Sequence, residues 1–81
     1  MNKLKKEFIQ LLKKCILTHN PTVIGWVSDD KLYTLNAVEY NILRDIVNDE
    51  FLAKGLKQNY EPNEYGILLE QLIDEIGRLF M

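Results

Sequence analysis

The chain holds one histidine and one cysteine, so the residue types that carry most nucleophilic, acid–base and metal chemistry are nearly absent. His19 alone cannot build a histidine-based metal site, which needs several donors around one ion. It could serve as a lone general base. Its neighbours favour a plainer role, a partly exposed side chain in the last turn of a helix, where a cation complements the helix dipole. Cys15 lies four residues after Leu11 on an apolar face and is expected to be a buried structural thiol, because reactive thiols need exposed, electropositive surroundings. Lys14 points about 100° away from it around the helix. A single cysteine also excludes an intramolecular disulfide framework and a Cys-rich zinc site. Asp29-Asp30 offers carboxylates to a cation but lacks the further oxygen ligands and the glycine of a calcium loop. Gly25, Gly55, Gly66 and Gly77 match no phosphate-binding pattern, and no Glu-x-x-His spacing supports a metal. These absences point to a protein that is not an enzyme and holds no cofactor.

Charge and aromatic residues say more about partners. The 81 residues carry 12 acids and 10 bases, a formal charge of −2, which does not select nucleic acid as the partner. The two signs are segregated. Residues 1–20 have a net charge of +4, with Lys3, Lys5, Lys6, Lys13 and Lys14 against Glu7, and the remainder has −6. The lysine-rich start could contact nucleic acid, although it has no arginine, and a lysine-faced helix is usually just solvated. In the acidic part, Glu50–Lys54 and Asp74–Arg78 read as ordinary favourable i, i+4 pairs. Asp45–Asp49 and Glu70–Asp74 are like-charged at the same spacing and oppose their helices by a few tenths of a kcal/mol each. A compensating use outside the helix would explain them, so Asp45, Asp49, Glu70 and Asp74 are candidate partner-binding residues. Trp26 and Tyr60 join them, since both fall outside the helical apolar stripes and Trp and Tyr commonly anchor interfaces.

The elements that must position these residues follow from periodicity. The composition, 47% hydrophobic and 27% charged, suits one small globular domain spanning 1–81 with one modest core. The spacing predicts a mainly α fold with three amphipathic helices. The first covers about 3–18, on Leu4, Phe8, Leu11, Leu12, Cys15 and Ile16, and ends before Asn20-Pro21. The second covers about 35–54, capped by Thr34 or Asn36, with a stripe of Val38, Ile42, Leu43, Ile46, Val47, Phe51 and Leu52. Gly55 is expected at positive φ as its C′ residue, with Leu56 folding back on Phe51. The third covers about 63–80, opened by Pro62-Asn63, with Gly77 a candidate for close helix approach. Residues 22–35 are rich in β-branched and aromatic residues around Ser28-Asp29-Asp30-Lys31, which predicts an extended or β-hairpin segment. Phe80 and Met81 could leave apolar surface for a homodimer. The apolar run after the basic start is cut by Lys13-Lys14, too short for a secretory leader. Nothing approaches the ~20 apolar residues of a membrane span. The expected compartment is the cytoplasm and no membrane partner is expected.

Residues 34–74 carry Thr34, Glu39, Leu43, Arg44, Val47, Glu50, Gly55-Leu56, then Glu61-Pro62-Asn63-Glu64-Tyr65-Gly66 and Leu69-Glu70-Gln71-Leu72-Ile73-Asp74. This order resembles a group of small uncharacterised bacterial proteins and is similar in style to immunity proteins that neutralise interbacterial toxins. It covers about half the chain. With the acidic surface, the resemblance implies a non-catalytic inhibitor that binds a basic toxin domain or enzyme. The alternative expectation is a phage or bacterial regulatory protein that contacts nucleic acid through its lysine-rich first helix.

Overall fold

Three apolar stripes fold into three helices: α1, Lys6–His19; α2, Ala37–Lys54; and α3, Glu64–Arg78. The structure, a computed structural model, describes residues 3–28 and 31–79. α2 packs against both α1 and α3, and the core is drawn from all three, with Leu12, Cys15 and Ile16 from α1, Tyr40, Leu43, Ile46 and Val47 from α2, and Leu69, Leu72 and Ile76 from α3. The fold is mainly helical, as the periodicity predicts.

α1 starts three residues later than expected. Lys5 caps it without a side-chain bond. Leu4 in the lead-in is nonetheless buried, and its N–H donates to the Tyr33 hydroxyl at 3.3 Å. The expected extended or hairpin segment is not formed. Among the described residues there is no strand, and residues 21–34 instead carry two 3₁₀ helices, Pro21–Val27 and Lys31–Thr34. Pro21 opens the first with its fixed φ. Side chains three apart line up on a 3₁₀ helix, so Ile24 and Val27 share a side. Val27 is buried, and Val23, Ile24 and Trp26 pack partly against the core. β-Branched composition here reflects burial over α1 rather than strand pairing. Asp29 and Asp30, read as part of a turn, lie outside the described residues, as do Phe80 and Met81, on which the homodimer expectation rested.

α2 opens with a reciprocal cap. The Asn36 side chain accepts from the Glu39 N–H at 2.8 Å, and the Glu39 carboxylate accepts from the Asn36 N–H at 3.0 Å. Its buried face is rotated from the expected stripe. Val38 and Leu52 are 68% and 62% exposed, whereas Tyr40 and Glu50 are buried. The Tyr40 hydroxyl donates to the Leu32 carbonyl at 2.6 Å, tying α2 to the second 3₁₀ helix.

The end of α2 corrects a second expectation. Gly55 has φ −92° and ψ 1°, and no described glycine has positive φ. Glycine is needed there for space. A Cβ on Gly55 would lie 2.8 Å from the Phe51 carbonyl oxygen and 3.0 Å from the Gly66 Cα, and one on Gly66 would collide with the Gly55 carbonyl. Asn63 closes this contact from both sides. Its N–H donates to the Gly55 carbonyl at 2.9 Å and its side-chain amide to the Lys54 carbonyl at 2.9 Å. Its side-chain oxygen caps α3 by accepting from the Gly66 N–H at 2.7 Å. With Gly55 outside the left-handed region, Leu56 is not the C″ residue of a Schellman turn, and it forms an antiparallel bridge with Pro62. Gly77, expected at a close approach, has open space where its Cβ would be.

The glycines should therefore respond in opposite directions. Gly66→Ala should destabilise by about 1–3 kcal/mol through steric overlap, with Gly55→Ala also unfavourable. Gly77→Ala should stabilise by about 0.5–1 kcal/mol as a helix-interior replacement. Urea unfolding midpoints of the three variants check this ordering, and a neutral Gly66→Ala would remove the close-contact account.

Candidate functional site

Glu50 is the one fully buried charged side chain among the described residues. It falls on the core face because it continues the spacing of Leu43 and Val47 on α2. Both carboxylate oxygens have partners. Oε1 is 2.9 Å from the His19 Nε2, at the end of α1, and Oε2 accepts the Tyr65 hydroxyl of α3 at 2.6 Å. Burial pushes the Glu50 carboxyl up, but the bonds from Tyr65 and His19 outweigh it and hold the group below its ordinary value. Burial and the bond to Glu50 raise the Tyr65 hydroxyl well above its own. The Lys14 ammonium lies 5.0 Å from the centre of the Tyr65 ring. Glu50 therefore faces the core rather than forming the expected surface pair with Lys54, and Arg78 pairs with Glu75 at 3.0 Å rather than with Asp74.

The chemistry available to this cluster is limited. His19 sits in the last helical turn with a 22% exposed side chain, and its ring is held by Glu50. The adjacent thiol, Cys15, is fully buried; burial, with Glu50 adding, pushes it up to about 11, so it is a neutral thiol near pH 7. Among the described residues no group of three or more His, Cys, Asp and Glu side chains could hold a metal ion. The cluster ties three helices together. Its signal in the sequence was the helical phase of Glu50, which outweighed its spacing to Lys54.

The polar surface lies elsewhere. Asp45, Asp49, Glu70 and Asp74 are all exposed. Asp45 enters a groove of about 460 Å³ with Asn41, Arg44 and Asn48 on α2, backed by Ile73 of α3. The i, i+3, i+4 and i+7 spacing of those four residues makes them one helical strip. The Arg44 Nε is buried in this strip and has no hydrogen-bond partner. Asp49, Glu70 and Asp74 do not line the groove. Trp26 is half-buried in the first 3₁₀ helix, packed on the core. Tyr60 is 83% exposed in the α2–α3 connection, with φ 66°, in a turn where its N–H donates to the Lys57 carbonyl at 2.9 Å. Of the six predicted binding residues, Asp45 alone lines the groove. The polar strip around Asp45 was missed because Asn41, Arg44 and Asn48 carry no pattern beyond helical spacing.

No family model matches the chain, and no curated protein or solved structure matches it.

The Glu50 node generates a pH-dependent expectation. A carboxyl held below its unfolded value contributes stability that is present above that value, about 4.3 for glutamate, and is lost as pH falls through the folded one. Tyr65→Phe should cost about 1.5–3 kcal/mol near pH 7, the range for a bond to a charged group. The stability gap between wild type and Glu50→Gln should narrow as pH drops below about 4. Denaturant unfolding at pH 7, 5 and 3 measures both effects; a gap that widens in acid would contradict the assignment.

Proposed function

We propose that the chain is a non-catalytic protein-binding module of the immunity type, which blocks a basic partner domain by occupying its surface. The observation that carries this reading is that Asp45, Asp49, Glu70 and Asp74 are exposed while the ion pairs of the described residues are His19–Glu50 and Arg78–Glu75. Four carboxylates on α2 and α3 are thus left without an internal cation. Unneutralised acids repel one another and attract a basic partner, which raises the association rate more than the final affinity. Asp45 has the most built surroundings, with Asn41, Asn48 and Arg44 to hydrogen-bond polar groups of a partner and Ile73 as an apolar floor. Tyr60 supports the same reading. A tyrosine in left-handed backbone is held there at a cost of about 1–2 kcal/mol, and its exposure gives the fold no packing in return. The proposal involves no chemistry on the partner, and the compartment that fits it is the bacterial cytoplasm.

The test is association with the product of the adjacent reading frame, measured at two salt concentrations. Wild type should associate quickly at low salt and more slowly as salt rises. The double variant Asp45→Lys, Asp49→Lys should slow association at least tenfold and leave the thermal midpoint unchanged or higher. Tyr60→Gly should raise stability, because glycine accepts that backbone without strain, while weakening the complex. Association insensitive to salt and to charge reversal at both acidic pairs would remove the proposal. Tight, salt-sensitive binding to DNA or RNA that is lost when Lys13 and Lys14 are neutralised would replace it with the nucleic-acid reading.

A further inference from the structure

On the basic side of the molecule, the lead-in to α1 crosses the second 3₁₀ helix and leaves a crevice of about 400 Å³, within the ~300–1,000 Å³ range of small-molecule sites. Lys3, Lys6 and Lys13 surround it, and Ile9 and Tyr33 give it an accessible apolar wall over the buried Leu4, Val27 and Leu32. No carboxylate lines it, and none of the three lysines belongs to an ion pair of the described residues. Lys6, Ile9 and Lys13 share one face of α1 at i, i+3 and i+7, so the two lysines leave the helix on either side of Ile9, their backbone positions about 10 Å apart along the axis. We infer that this crevice binds a free, soluble aliphatic chain with an anionic head, the chain lying on Ile9 beside Tyr33 and the head among the three lysines.

Three features select this class. A cleft bearing one sign of charge over low-dielectric walls concentrates counter-ions of the opposite sign. Lysines act as point charges and lack the flat fork with which arginine grips phosphodiesters in two-point contacts, so a single compact anionic head suffices. The Lys3 ammonium lies 5.8 Å from the centre of the Tyr33 ring. That ring face already has a cation on it, which leaves aliphatic walls rather than a stacking platform for a nucleobase.

The experiment is a titration of the full chain, labelled with ¹⁵N, using octanoate below its micelle concentration. Saturable amide shifts confined to the neighbourhood of Ile9, Lys13, Leu32 and Tyr33 are expected. Lys6→Gln combined with Lys13→Gln should weaken binding at least tenfold without changing the thermal midpoint, and 1-octanol should bind at least tenfold more weakly than octanoate. Octanol binding as tightly as octanoate would overturn the site, because the lysines would then have no role. Shifts spread through the core would also overturn it. So would a stronger response of the same amides to AMP or to phosphatidylglycerol vesicles, which would identify a nucleotide or a membrane surface as the occupant instead.

Discussion

A carboxylate shut away from water stays charged only when donors surround it, and that requirement governs how the three helices meet. Glu50 projects from α2 into the core and is bonded by His19 of α1 and Tyr65 of α3. The outer helices both pack on α2, and this node fixes their rotation about it. Sliding α2 by one residue would swing Glu50 about 100° around the axis and strand both donors. Apolar contacts tolerate such slips more readily, since hydrophobic burial has no direction. A buried ionised group adds less net stability than its bonds suggest, and its best-attested benefit is a single register. Here Tyr40 plays the matching role for the 3₁₀ segment, with its hydroxyl on the Leu32 carbonyl.

The three helices were legible because each has an apolar spacing long enough to be unambiguous and ends that use local chemistry. Asn36 and Asn63 cap where they should, and Asn20-Pro21 ends α1. The rotation of α2 was less legible. Val38 and Leu52 look like core residues by type yet face solvent, while tyrosine and glutamate take buried places. Type alone misleads where a buried polar group has partners from distant parts of the chain. Residues 22–35 failed for a related reason. Their strand-like composition measures a need for burial, and α1 met that need without a second strand. The end of α2 at Lys54 was legible, but Gly55 was expected there at positive φ, whereas its φ is −92° and what excludes a Cβ is the approach of Gly66, eleven residues away and invisible to a local rule. The exposure of Asp45, Asp49, Glu70 and Asp74 was legible from their spacing; the groove beside Asp45 depends on Ile73 of α3 and was not.

The charge segregation in the sequence becomes a division of surfaces. Lys3, Lys6 and Lys13 gather around an apolar crevice, and Asp45, Asp49, Glu70 and Asp74 are exposed on α2 and α3. A molecule with such separated charges has a dipole, so it orients before it touches a charged partner. Such an orientation would serve the proposed encounter with a basic partner through the acidic side.

The connection between α2 and α3 is fastened at its base, by the Leu56–Pro62 bridge and by Asn63 on Gly55 and Lys54. The turn beyond that clasp, from Lys57 to Glu61, is exposed throughout. Residues added at its tip would lengthen a loop that is already closed, and each doubling of such a loop adds only about 0.6 kcal/mol. The junction of Gln58 and Asn59 is consequently a natural place to graft a fluorescent tag, an epitope or a second folded domain while the helical body keeps its shape.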